Sequence, residues 1–194
     1  MKIIGLTGGS GAGKTAVANV LKGFGAFVID CDDIARKVVK PNKPAYLELI
    51  NIFGKIILNH DNTINRKVLG EIAFTNEDNL AKLNLCTHKY ILAEVDLQIK
   101  TITDNPGEYT CIVIDAALLI ETNLHKKTDE VWLVVANEKI QQQRIIERDS
   151  ITYEQAKMRL KNQTAVEEHM PYADVIIENN DDFTALENNV RKKI

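Results

Sequence analysis

Residues Gly8 to Thr15 read Gly-Gly-Ser-Gly-Ala-Gly-Lys-Thr and directly follow the apolar run Ile3-Ile4-Gly5-Leu6. This is G-x-x-x-x-G-K-[ST], set where a strand should turn into a helix. It constrains fold and ligand together. Glycines let consecutive backbone N–H groups point inward at phosphate oxygens. Lys14 adds a cation that reaches the β- and γ-phosphates of a nucleoside triphosphate, and Thr15 offers a hydroxyl to Mg²⁺. A helix starting near Gly13 sets its positive dipole end under the same phosphates. The expected donor contacts are therefore Gly9, Gly11, Ala12, Gly13, Lys14, Thr15 and Ala16. A plain glycine-rich turn would account for the glycines, but it gives the lysine no packing purpose. Ala16, Val17, Ala18, Val20 and Leu21 supply the apolar side of the helix that follows.

The 194 residues suffice for one α/β domain with a small insert, and 45% hydrophobic content supports a sizeable core. A net charge of −3 with no run of Lys and Arg argues against a nucleic-acid-binding surface. Cys31, Cys86 and Cys111 are far apart and lack C-x-x-C spacing, so a disulfide scaffold or a zinc site is not expected. No segment reaches 18 apolar residues and the N-terminus enters a strand at once, so the expectation is a soluble cytoplasmic protein without a membrane partner.

Strands are expected at Lys2–Leu6, Ala26–Asp30, Cys111–Asp115, Glu130–Ala136 and Ala173–Glu178. They are short, rich in Ile and Val, and continuous rather than alternating, as strands covered on both faces are. Helical segments separate them, which predicts a parallel sheet. Asn137 and Thr152 are expected N-caps, and Asp181 or Asp182 can cap the last helix. Residues 31 to 110 read as helical, with Ala45–Phe53, Arg66–Phe74 and Asn79–Ile102 carrying apolar residues at three- and four-residue spacing. Leu80, Leu83, Leu85, Tyr90, Ile91 and Val95 outline the longest stripe, read as core packing.

Several residues outside the loop are candidates for chemistry. Asp30, Asp32 and Asp33 sit where strand two ends and a helix begins, and ligands of open parallel sheets bind beyond the carboxyl ends of strands. Asp32 is one candidate to orient an attacking hydroxyl; a helix N-cap is the alternative for any of the three. Cys111-Ile112-Val113-Ile114-Asp115 is an apolar strand ending in an acid, an arrangement in which Asp115 can hold Mg²⁺ or its water. Glu121 follows as a second polar group for the cleft. Arg144 and Arg148 share a helix face and can stabilise a moving phosphoryl group, or form a solvated face paired with Glu147 or Asp149. His60, His88, His125 and His169 lack metal-ligand spacing and read as surface or structural.

Taken together, these blocks resemble the dephospho-CoA kinase family. The likeness begins with Gly5 to Thr15 and continues through Val28-Ile29-Asp30-Cys31-Asp32-Asp33-Ile34-Ala35-Arg36 and Ile64-Asn65-Arg66-Lys67-Val68-Leu69-Gly70 with Phe74. It extends through Leu118-Leu119-Ile120-Glu121, Arg144 to Asp149 and Gln163, and closes on Ala173 to Asn179. The resemblance implies ATP-dependent phosphorylation of the ribose 3′-hydroxyl of dephospho-CoA, the last step of coenzyme A synthesis. It implies Asp32 as base, Arg36, Arg66 and His88 on the acceptor side, Arg144 and Arg148 in a lid, and Asn179 beside the adenine. Departures are Ser10 in the loop, Lys89 after His88, Ala117 before the Leu pair and Asp181 after the Asn pair.

The expectation is a single three-layer P-loop domain with a central parallel sheet. Its core covers about 1–36, 108–137 and 170–194, its helical acceptor-binding insert about 37–107, and its helical lid about 138–169. ATP and Mg²⁺ serve Lys14, Thr15 and Asp115, and the chain acts as a monomer or weak homo-oligomer. Rival readings are a nucleoside monophosphate kinase and a nucleotide-dependent switch. The nearest match to the guanine-reading Asn-Lys-x-Asp block, Asn42-Lys43-Pro44-Ala45, lacks the acid and follows no strand.

Overall fold

A computed structural model describes residues 1–194. Five strands, β1 (Lys2–Gly8), β2 (Ala26–Asp30), β3 (Cys111–Asp115), β4 (Glu130–Val135) and β5 (Val175–Glu178), form one sheet in the order β2-β3-β1-β4-β5. Every pairing is parallel. β1 runs two residues beyond the expected Leu6, because β4 continues alongside it to the pair Gly8↔Val134. β5 starts at Val175 rather than Ala173: Asp174 precedes it and accepts from the Val131 N–H at 2.8 Å through its side chain.

The helices are α1 (Lys14–Gly23), α2 (Cys31–Val38), α3 (Pro44–Phe53), α4 (Arg66–Ala73), α5 (Glu77–Asp104), α6 (Glu138–Asp149), α7 (Tyr153–Lys161), α8 (Val166–His169) and α9 (Phe183–Arg191). Two compact units result: Met1–Asp30 with Thr101–Ile194, and Cys31–Lys100.

The first unit holds the sheet. Ile4 and Leu6 of β1, Val17 and Leu21 of α1, Trp132 of β4 and Leu186 of α9 belong to one buried cluster. Burying a leucine of this kind contributes about 1.5–3 kcal/mol. Trp132 is fully buried, and its indole N–H is satisfied by Glu130 Oε2 at 3.0 Å. Of the three helix caps expected from sequence, two form and one does not. Thr152 and Gln155 form a reciprocal capping box on α7, and Asp182, not Asp181, caps α9 through the Ala185 N–H. Asn137 stands at the N-cap of α6 but its side chain makes no cap bond; its own N–H instead donates to Asn180 Oδ1 at 2.7 Å.

The second unit packs Tyr46 and Leu49 of α3, Leu69 of α4 and Cys86 of α5 around Ile57 and Ile64. The expected α5 stripe needs one correction. Leu85 is 76% exposed, whereas Cys86 is 1% exposed and approaches the Ala45 carbonyl at 3.7 Å. At 100° per residue the position after Leu85 turns inward, aligned with Leu83 and Tyr90. Beside it, Glu48 accepts from Lys89 Nζ at 2.8 Å and Tyr90 Oη at 3.0 Å. Burial, with the Glu48 charge, pushes the Cys86 thiol up to about 11. No helix of the chain is long and apolar enough to cross a membrane.

Candidate active site

The loop after β1 owes its shape to glycine at two positions. Gly11 has φ +77°, and a Cβ there would lie 2.5 Å from the Gln141 carbonyl oxygen and 2.8 Å from its Cα. Backbone cannot move aside, so no side chain fits. Gly13 has φ +96°, and a Cβ there would fall on Asn179 Nδ2. Gly13 also precedes α1, which has no side-chain cap and no acid in its first turn. The dipole of α1 and those first amides not taken by the Gly13 carbonyl are thus left for an anion.

Strand order assembles the charged groups of this end. β3 lies between β1 and β2, so Asp115 is in register with Leu6 on one side and with Asp30 on the other. Lys14 Nζ forms an ion pair with Asp115 Oδ1, and both side chains are largely buried. Thr15 is exposed in the first turn of α1. The strand directly beside β1 is β3, and it is Asp115 that meets Lys14.

Two residues brace the loop through its carbonyls. Asn179 Nδ2 donates to the Ala12 carbonyl at 2.8 Å. Arg144 Nη1 donates to the carbonyls of Asn179 at 3.0 Å, Gly11 at 3.4 Å and Ala12 at 3.5 Å. Arg144 and Arg148, expected to act alike, differ in surroundings. Arg148 forms a two-pronged pair with its neighbour Asp149 at 2.8 and 2.9 Å, and Arg159 joins that carboxylate at 2.5 Å. The Arg148 guanidinium beside it holds Asp149 below the usual carboxylate range.

Two further groups make contacts that the residue pattern did not specify: Gln163, to which it gave no role, and Glu121, expected only as a second polar group for the cleft. Gln163, two residues beyond α7, accepts from the Ser10 N–H at 2.8 Å. Its place in a family-like block was the available signal; nothing in local spacing pointed at Ser10. Glu121 Oε1 accepts from Thr164 Oγ1 at 3.0 Å and lies 3.1 Å from Nε2 of the buried His169. Burial opposes the Glu121 charge, but hydrogen bonds from its own backbone, His169 and Thr164 outweigh it and hold the carboxyl below its ordinary range. His125 packs edge-on to Tyr172 with ring centroids 5.1 Å apart.

The remaining sequence-picked residues belong to the second unit. Asp32 is exposed in the first turn of α2, while Asp33 pairs along the same helix with Lys37 at 2.5 Å and Arg36 at 3.9 Å. Arg66 is the first residue of α4, behind Asn65, whose side chain caps the helix through the Val68 N–H at 3.1 Å. His88 is half-buried in α5, and burial lowers its pKa.

Comparison with known proteins bears on what such a site serves. A protein of Thermus thermophilus shares the fold at a TM-score of 0.82 and 23% identity, covering 99% of this chain and 95% of that one. A dephospho-CoA kinase from Campylobacter jejuni superimposes with a TM-score of 0.72 at 26% identity, covering 100% of this chain and 96% of its own. A shikimate kinase from Acinetobacter baumannii, at 17% identity and a TM-score of 0.57, shares the fold across 100% of this chain and 90% of that one. In sequence, the dephospho-CoA kinase of Carboxydothermus hydrogenoformans is 39% identical over 179 residues, 92% of this chain and 86% of the relative. That of Shouchella clausii is 40% identical over 177 residues, 91% of this chain and 89% of the relative. The family model for dephospho-CoA kinase matches residues 2–185. With a parallel-sheet P-loop core, a lysine-aspartate pair at its mouth and this extent of likeness, the chain belongs to the dephospho-CoA kinase family.

Proposed function

We propose that this chain transfers the γ-phosphoryl group of ATP to the ribose 3′-hydroxyl of dephospho-CoA, the final step of coenzyme A synthesis. The family match over residues 2–185 carries the acceptor assignment. The meeting of Lys14 with Asp115 beside the uncapped start of α1 supports the donor side.

The loop amides from Gly9 to Ala16 and Lys14 hold the phosphates, in a site built by positioning and electrostatics rather than covalent catalysis. Arg144 acts through the loop, since its guanidinium is engaged by the Gly11, Ala12 and Asn179 carbonyls. Arg148 exchanges Asp149 for the charge of the transferring group, within a lid of about 138–169. The segment at Asn179 flanks the adenine. The donor set suits a hard cation: the exposed Thr15 hydroxyl and the Asp115 carboxylate are oxygen ligands of the kind Mg²⁺ takes together with phosphate oxygens. When bound, Mg²⁺ neutralises charge between the β- and γ-phosphates.

On the acceptor side, Asp32 orients the attacking hydroxyl, and Arg36, Arg66 and His88 hold the substrate. Arg66 opens α4, where a cation works against the helix dipole, so helix stability does not explain its place. The enzyme works in the cytoplasm as a monomer or weak homo-oligomer.

The deciding experiment is coupled ADP release with ATP and Mg²⁺, with dephospho-CoA, AMP, CMP or shikimate as acceptor. Release stimulated by dephospho-CoA alone is the expected result. Stimulation by another acceptor, or by none, refutes the assignment.

A further inference from the structure

The groups that touch the phosphate loop from outside approach it on two different sides. Arg144 and Asn179 take carbonyls, those of Gly11 and Ala12. Gln163 takes an amide: the Ser10 N–H donates to its Oε1 at 2.8 Å. The donor is backbone N–H, so the carboxamide oxygen must face it and the NH₂ must face elsewhere. The side chain lies close over the loop; a Cβ on Gly9 would meet Gln163 Oε1 and Nε2 at 3.1 Å each. Phosphate oxygens are acceptors and use the amide side of such a loop. Gln163 Oε1 therefore stands on an atom that a phosphate oxygen also seeks.

Position along the loop says which phosphate. Lys14, at the start of α1, reaches the β- and γ-groups. Ser10 lies on the opposite arm, inside the turn closed by the Ala12 N–H on the Gly9 carbonyl at 3.1 Å. The backbone that carries Gln163 is anchored next door, where Thr164 Oγ1 donates to Glu121 at 3.0 Å. A change of partner at Ser10 thus needs only side-chain torsions of Gln163.

We propose that Gln163 is a positioning residue for the terminal phosphoryl group of the donor. Its carbonyl yields the Ser10 amide to a phosphate oxygen, and its NH₂ turns to donate to that same phosphate. The inference rests on the reading of the loop as an ATP site and adds a residue to it.

The test uses the full chain with Mg²⁺ and no acceptor, titrated calorimetrically with ADP and with a non-hydrolysable ATP analogue. Gln163→Glu puts a negative charge against the terminal phosphate and removes the donor. The analogue should bind about tenfold more weakly or worse, as loss of a hydrogen bond to a charged group implies. ADP affinity should stay within about twofold. Gln163→Ala should likewise leave ADP binding unchanged and, in turnover assays with dephospho-CoA added, lower kcat about tenfold with little change in the KM for ATP. Equal losses for ADP and the analogue, or wild-type behaviour of both variants, overturn the role of Gln163 alone. Failure of the unaltered chain to bind either nucleotide overturns the donor site and this role with it.

Discussion

Asn179 donates its side-chain N–H to the Ala12 carbonyl at 2.8 Å, joining the end of β5 to a loop 167 residues earlier in the chain. Asn179 is 5% exposed, and its own carbonyl is held by Arg144 at 3.0 Å. Asn179→Leu would remove a buried donor and leave the Ala12 carbonyl short of a partner. The expected cost is about 1–3 kcal/mol of stability with a raised KM for ATP, measured by urea denaturation and steady-state kinetics. Unchanged values in both would show that the loop keeps its shape without this brace.

Lys14 and Asp115 form a second long-range pair. Lys14→Ala removes the cation proposed for the phosphates and leaves the Asp115 carboxylate without it. ATP affinity should fall, and kcat should drop about a hundredfold or more, the scale on which a fixed electrostatic contact to a reacting group acts. Asp115→Asn keeps the shape but not the charge, and its loss of rate should grow as Mg²⁺ is lowered. A rate loss independent of Mg²⁺ would place Asp115 outside the metal's reach.

Asp32 makes no ion pair along α2, in contrast to Asp33, which Lys37 and Arg36 engage. Asp32→Asn should therefore leave the helix and ATP binding nearly intact. Turnover should fall by roughly tenfold to ten-thousandfold, the range for a positioned base. Near-normal turnover would remove Asp32 from the mechanism.

Glu121 carries a pH signature. Its folded carboxyl sits below the ordinary 4.5, so ionised Glu121 stabilises the fold above that value, and the contribution disappears as pH falls through the lower folded value. Glu121→Gln should lower Tm at pH 7, and the gap to the unaltered chain should narrow as pH falls below the ordinary 4.5. Thermal melts across a falling pH series decide it; a gap constant with pH would mean that packing, not charge, holds Thr164 and His169.

Local patterns made much of this protein legible. The loop from Gly8 to Thr15 is contiguous, and its glycines answer backbone demands visible in the motif itself. Continuous Ile and Val runs marked all five strands; β1, β3 and β4 are buried at most positions, as strands covered on both faces are, whereas Ile176 of the edge strand β5 is exposed. The Thr152 capping box and the Asp182 cap were readable for the same reason, since cap and amide lie within three residues. Where a distant group competed, local reading failed: Asn137 holds no cap because Asn180 engages its backbone instead. Leu85 and Cys86 changed places because apolarity alone does not settle which neighbour on a helix faces inward.

The chain's own residue order determined a parallel α/β core, a phosphate loop and the family to which they belong, all of which depend on short-range spacing. Tertiary structure alone decided that β3 stands between β1 and β2, so that Asp115 meets Lys14. It also decided that Arg144 and Asn179 grip the loop by its carbonyls while Gln163 takes an amide. Such partners lie more than a hundred residues apart in the chain. Strand order and helix packing bring them together, and no periodicity along the sequence records that choice.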